Sequence, residues 1–168
     1  MKSKLTFAAV LGWAALMLSG AATAETVVVK MQSYEEVPAV SSVATGHFTA
    51  FINDAAGTID YELFYEGLEG DVRQAHIHFG QRGVAGGISV FLCQTSSFNP
   101  DPTGLAPQCP QSGTVTGTIR AANIIGPTGQ GIAATELAEL IAAIRAGIAY
   151  PNVHSTKFPG GEVRGQFH

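Results

Sequence analysis

The chain has 168 residues, 46% of them apolar, and nine basic side chains against 13 acidic ones, for a formal charge of −4. An acidic chain lacks the electrostatic footprint for nucleic acid or an anionic membrane surface. Plentiful Gly, Thr and Val without any block of like charge exclude a disordered tail and point to a folded β domain.

In chain order, Lys2 and Lys4 precede an uncharged apolar run from Leu5 to Met17, and Ala22-Thr23-Ala24 supplies a small-x-small cleavage pattern. Residues 1–24 therefore read as a cleaved signal peptide, the apolar run being too short for a comfortable span. Cleavage leaves residues 25–168 as a single domain of 144 residues, with seven basic side chains and a charge of −6. The β-branched run Thr26 to Met31 predicts a first strand. From Gly46 to Asn53, His47, Thr49 and Phe51 alternate with Phe48, Ala50 and Ile52. After a turn at Gly57, Ile59, Tyr61, Leu63 and Tyr65 share one face of a partner strand, giving a hairpin.

Val72 to Phe79 and Ile88 to Leu92 predict two further strands around the glycine-rich loop of residues 80–87. Cys93 and Cys109 bracket a loop rich in Ser, Asn, Pro and Gly. An exported chain makes a structural disulfide the expected state, with a redox pair or metal thiolate as the alternatives. Thr114 to Ala121 alternates again. Leu137, Leu140, Ile141 and Ile144 then recur at helical spacing, with Thr135 as the expected N-cap and Gly147 as the expected C-terminal stop. Tyr150 to His154 and Gly161 to Phe167 predict a closing hairpin. The sum is an all-β fold, a Greek-key sandwich or barrel, with one short helix in the C-terminal half.

Three segments carry a resemblance. Gln32-Ser33-Tyr34-Glu35-Glu36-Val37-Pro38-Ala39-Val40 is the first. Ala75-His76-Ile77-His78-Phe79-Gly80, with Gly83, Gly86 and Gly87, is the second. Gly147-Ile148-Ala149-Tyr150-Pro151-Asn152-Val153-His154-Ser155, continuing through Pro159 to Gln166, is the third and most specific. In this order they resemble the chordin-type (CHRD) domain family. The resemblance implies an immunoglobulin-like β fold and an extracytoplasmic setting, secreted or periplasmic. Domains of this type occur in chordin, which binds growth factors; that partner does not carry over to a stand-alone chain. Two departures stand out: Pro151, where a β-former is usual and a ladder donor is lost, and a long Cys93 to Cys109 insertion.

His76 and His78 are two apart on a strand and share a face, leaving Ala75, Ile77 and Phe79 for the core. Paired imidazoles on a strand suit Zn or Cu; hydrogen bonding of half-exposed histidines to the glycine loop is the bland alternative. His154, in the third segment, would complete a three-nitrogen site, with His47 as a further candidate and His168 terminal. Glu162 and Arg164 read as an ion pair closing the last hairpin, or as support beside His154; Asn152 reads as a turn residue. The acidic run Asp60, Glu62, Glu66, Glu69 and Asp71 lacks a calcium-loop spacing and reads as a solvated face.

His76-x-His78-x-Gly80 also resembles Cu/Zn superoxide dismutase. No histidine lies between His78 and His154, so the bridging imidazole is missing. The expectation is an exported binding module that holds copper or zinc on His76, His78 and His154 and meets an unidentified extracytoplasmic ligand or protein, without nucleic acid or a membrane span. The rivals are a metal-dependent enzyme, superoxide-dismutase-like or otherwise redox or hydrolytic, and an adhesive or matrix domain.

Overall fold

The computed structural model describes residues 24–95 and 99–168, and in it the alternating segments become strands with one face turned to a common core. These are β1 (Glu25–Gln32), β2 (Thr45–Asn53), β3 (Thr58–Glu66), β4 (Val72–Phe79), β5 (Gly87–Gln94), β6 (Gly113–Ile119), β7 (Ala149–Ser155) and β8 (Val163–Arg164), with the helix α1 (Leu137–Arg145) before β7. The signal-peptide reading falls on residues 1–24, of which 1–23 lie outside the described residues. Among the described residues no helix is long and apolar enough to cross a membrane.

The eight strands form one nearly closed antiparallel sheet in the order β5-β4-β7-β8-β1-β2-β3-β6. This meets the expectation of an all-β sandwich or barrel with a helix in the C-terminal half. Phe48, Ala50 and Ile52 of β2 and Ile59, Tyr61, Leu63 and Tyr65 of β3 are buried in that core, as the alternation requires. The two ends of the sheet meet at a seam. There the Tyr61 hydroxyl donates to the Leu92 carbonyl (2.5 Å) and the Tyr65 hydroxyl to the Pro110 carbonyl (2.5 Å). The expected disulfide, Cys93–Cys109, crosses the same seam.

α1 sets Leu137, Leu140, Ile141 and Ile144 into the core. Its end is a Schellman turn: Gly147 N–H donates to Ile144 and Ile148 N–H to Ala143, with Gly147 at φ 69°. Arg145 in the last turn bridges Glu25 and Asp54, each at 2.7 Å. The expected N-cap is corrected. Thr135 sits at φ 72°, a left-handed conformation that an N-cap does not take, and Glu136 occupies the cap position. The chain enters through a tight turn in which the Glu136 carboxylate accepts the Ala133 N–H at 2.7 Å.

The closing hairpin is also shorter than expected, because β8 keeps strand pairing only at Val163 and Arg164. β7 and β8 are wedged between β4 and β1. Pro151 thus lies in a central strand, opposite Ile77. Its carbonyl accepts from Gly165 N–H, so its missing donor faces the same way, beyond the short β8 ladder rather than into β4.

Replacing Cys93 and Cys109 together by alanine is expected to lower the unfolding free energy by about 3 kcal/mol in the chain-entropy view of a loop this size. Urea titration of the oxidised parent and the variant checks this; a loss below about 0.5 kcal/mol would show that the tyrosine hydrogen bonds close the seam unaided.

Candidate metal centre

β4 and β7 are buried on both faces. Ala75, Ile77 and Val153 point into the main core, and His76, His78, Tyr150, Asn152 and His154 point to the opposite face. Antiparallel pairing sets Asn152 opposite His76, Tyr150 opposite His78 and His154 opposite Gln74. The same row continues outward to Phe91 on β5 and to Arg164 on β8. Side chains directly opposite share a face and lie in contact, so the register alone collects the three histidines.

This second face is covered, so the half-exposed histidines of the alternative reading are not found, although His78 does bond to the glycine loop. His76, His78 and His154 are 0%, 7% and 6% exposed. The cover comes from the loop of residues 80–87, from the segment after β1 that carries Glu36, and from the loop of residues 156–161. Burial then dictates where the polar ring atoms go. His78 Nδ1–H donates to the Gly86 carbonyl at 2.9 Å, and His154 Nδ1–H to the Pro159 carbonyl at 3.0 Å. A carbonyl only accepts, so in neutral rings both Nε2 atoms carry lone pairs. His76 Nδ1 lies 3.1 Å from His154 Nε2 and donates to it. The Nε2 atoms of His76 and His78 are buried and have no partner.

One nitrogen from each ring lies within 4.8 Å of the other two. A shared ion with metal–nitrogen bonds of about 2 Å would hold them about 3–4 Å apart, so loading requires a contraction of about 1 Å. Carbonyls that orient a ring through Nδ1–H and free Nε2 are the usual outer shell of a histidine metal ligand.

The electrostatics agree with neutral rings. Burial drives the His76 pKa well below the ordinary value, helped by His154 and His78 beside it. Burial also lowers His78 to about 4, with His154 and the Arg164 charge adding to it, and lowers His154 to about 4. Protons therefore compete weakly for the nitrogens at neutral pH.

Two residues that sequence reasoning missed complete the surroundings. Asn152, expected in a turn, places Oδ1 3.0 Å from His154 Nε2, an oxygen that only accepts set beside a nitrogen lone pair, which a cation would relieve. Glu36 was visible only as part of the first resemblance segment. It is buried, its Oε1 has no partner, and burial raises its pKa to about 7 against the pull of Arg164 and a hydrogen bond with Asn152. Gly161, at φ 130°, makes room for it: a β-carbon there would lie 2.6 Å from Glu36 Cδ. Glutamate next to valine and proline gives no sign of burial; the packing is made by a residue 125 positions away.

The remaining candidates separate. His47 is on the exposed face of β2, stacked on Phe64 at 5.0 Å, and does not join the cluster. Glu162 and Arg164 form no ion pair among the described residues, because Glu162 precedes β8 and does not share its alternation. Glu162 Oε1 accepts instead from Ser42 Oγ and Glu69 N–H, both at 2.7 Å. Arg164 lies with Cζ 3.4 Å from the Tyr150 ring centre and donates to the carbonyls of Val84 (2.9 Å) and Gln81 (3.2 Å). Tyr150 in turn stacks on His78 at 4.9 Å, with the planes 5° apart.

The buried groups make opposite contributions to stability. An unfolded histidine binds a proton near pH 6.5 while these rings resist it, so the stability from neutral rings is present above pH 6.5 and lost as pH falls toward 4. Glu36 binds its proton more tightly folded than unfolded, so its contribution is present below pH 4.5 and lost as pH rises through 7. In the metal-free protein, Glu36→Gln is expected to leave stability nearly unchanged at pH 4.5 and to raise it at pH 8 by about 1–3 kcal/mol. Urea denaturation at the two pH values measures this, and an equal effect at both would contradict a buried, neutral carboxyl.

With this geometry in place, a comparison with protein families matches the chain over residues 27–167 to the family described as CHRD domain. No curated protein and no solved structure matches.

Proposed function

The chain belongs to the CHRD domain family, and from that premise we propose that it is an exported binding module that holds one metal ion, copper or zinc, on His76, His78 and His154. The observation that carries this reading is a cluster of three buried, neutral rings in which the Nε2 atoms of His76 and His78 have no partner. Each turns its Nδ1–H outward to a partner or toward a neighbouring ring, and two Nε2 lone pairs are left buried without any donor. An unpartnered buried acceptor costs about 1–3 kcal/mol, and a bound ion would recover that cost. Three neutral imidazoles at this separation match the nitrogen ligand set of copper and zinc sites.

Burial of all three rings favours retention of the ion over turnover, since catalysis needs a coordination position that substrate can reach. A disulfide and the signal-like start of the chain support export. The partner of the module in that compartment would meet the loops that cover the rings.

The test is metal content after stripping and reconstitution of a tag-free chain. One equivalent of copper or zinc is expected to survive desalting, and His76→Ala is expected to weaken binding by about 100-fold or more, given the loss of one of three ligands. Sub-stoichiometric metal in the parent, or full retention in the variant, would refute the site.

A further inference from the structure

We infer that the histidine site selects a monovalent ion, cuprous copper, over divalent zinc; this inference rests on the metal reading above and concerns only which ion the site takes.

The three ligands are neutral imidazoles and bring no negative charge to the ion. Their surroundings are aromatic: Phe91 meets His76 edge-on at 4.3 Å, and Tyr150 covers the face of His78 at 4.9 Å. Moving an ion from water into such a buried site costs a desolvation energy that grows as the square of its charge, so a divalent ion is penalised about fourfold relative to a monovalent one.

The permanent charge behind this wall has the wrong sign for a dication. Arg164 lies against the Tyr150 ring, Cζ 3.4 Å from its centre, and its guanidinium is held in place by the Val84 and Gln81 carbonyls and by Gln166 Oε1 at 3.1 Å. Tyr150 stacks directly on His78, so the guanidinium sits one ring away from a ligand and its field reaches the site. Glu36, with its pKa raised to about 7, is only partly ionised at neutral pH and offsets that cation in part.

Coordination number points the same way. Zinc seeks four ligands in a tetrahedron, usually adding a water or carboxylate to three histidines. Here the rings are closed off from solvent, and the Asn152 oxygen beside His154 brings no charge. A d¹⁰ monocation is satisfied by three nitrogens, and the protein presents three.

The test uses the oxidised, tag-free chain. Cu(I) affinity is measured without oxygen by competition with a chromophoric cuprous chelator, and Zn(II) affinity by competition with a zinc-sensitive dye. Cu(I) is expected to bind at least about tenfold tighter than Zn(II), a charge-selectivity margin of one decade. Zinc binding within tenfold of copper, or tighter, overturns the inference and leaves the metal centre standing. Failure of both ions to bind sinks the metal centre as well.

Arg164→Gln then isolates the charge. Coulomb energy scales with the charge of the ion, so removing the guanidinium should raise Zn(II) affinity by about the square of the factor by which it raises Cu(I) affinity. Circular dichroism and thermal melting establish that the variant is folded. Equal factors for the two ions, or no change in either, would contradict a field effect. If the variant does not fold, the parent's copper-to-zinc ratio alone decides the inference.

Discussion

Pairing of β7 with β4, in the register that sets Asn152 opposite His76, is the constraint on which the rest of the second buried face depends. Side-chain direction alternates along a strand, so a slip of one residue would turn His154, Asn152 and Tyr150 into the main core and bring Val153 out among the histidines. That register is secured from the other side of the sheet. Val153, Ala149 and Val163 are core residues, and the apolar demand of the main core therefore orients the polar row behind it. The histidine cluster depends on core packing that contains none of its own atoms.

The second face differs from an ordinary solvated face of an antiparallel sheet, which would carry polar groups in water. Here loops lie over it, and every polar atom beneath them must find a partner. Backbone carbonyls of Gly86 and Pro159 take two ring N–H groups, and the carbonyls of Val84 and Gln81 take the guanidinium of Arg164. These bonds hold the loops down while fixing the ring tautomers. The covering loops and the ligand set are thus coupled: a loop that lifts would release a ring, and a ring that turns would orphan a carbonyl. The unpartnered Nε2 atoms of His76 and His78 are the residual electrostatic cost of that arrangement, which a cation would relieve.

Much of the fold was legible because period-two alternation is a local property. β2, β3 and β6 show the buried faces that Phe48, Tyr61 and Val115 announce, and α1 follows its apolar stripe. The pair His76 and His78 was legible for the same reason. Two kinds of feature were not. One is backbone geometry with no periodic signature: the left-handed Thr135 at the start of α1, and the early end of pairing in β8. The other is cover supplied from far along the chain. The burial of the histidines was not legible, because glycine-rich loops carry no hydrophobic pattern that reveals where they lie. Glu36 and Asn152 gain their roles from neighbours remote in sequence, and the Glu162–Arg164 ion pair failed because strand spacing was assumed where no strand runs.

The central claim is that the three buried rings are neutral, with Nε2 of His78 and His154 unprotonated, and nuclear magnetic resonance of the ¹⁵N-labelled histidines in the metal-free protein tests it most directly. At pH 7 the account requires His78 and His154 to be neutral Nδ1–H tautomers with unprotonated Nε2, and to remain neutral down to about pH 5, above their lowered pKa of about 4. Spectra showing Nε2–H tautomers, or imidazolium rings titrating near the ordinary value, would contradict it.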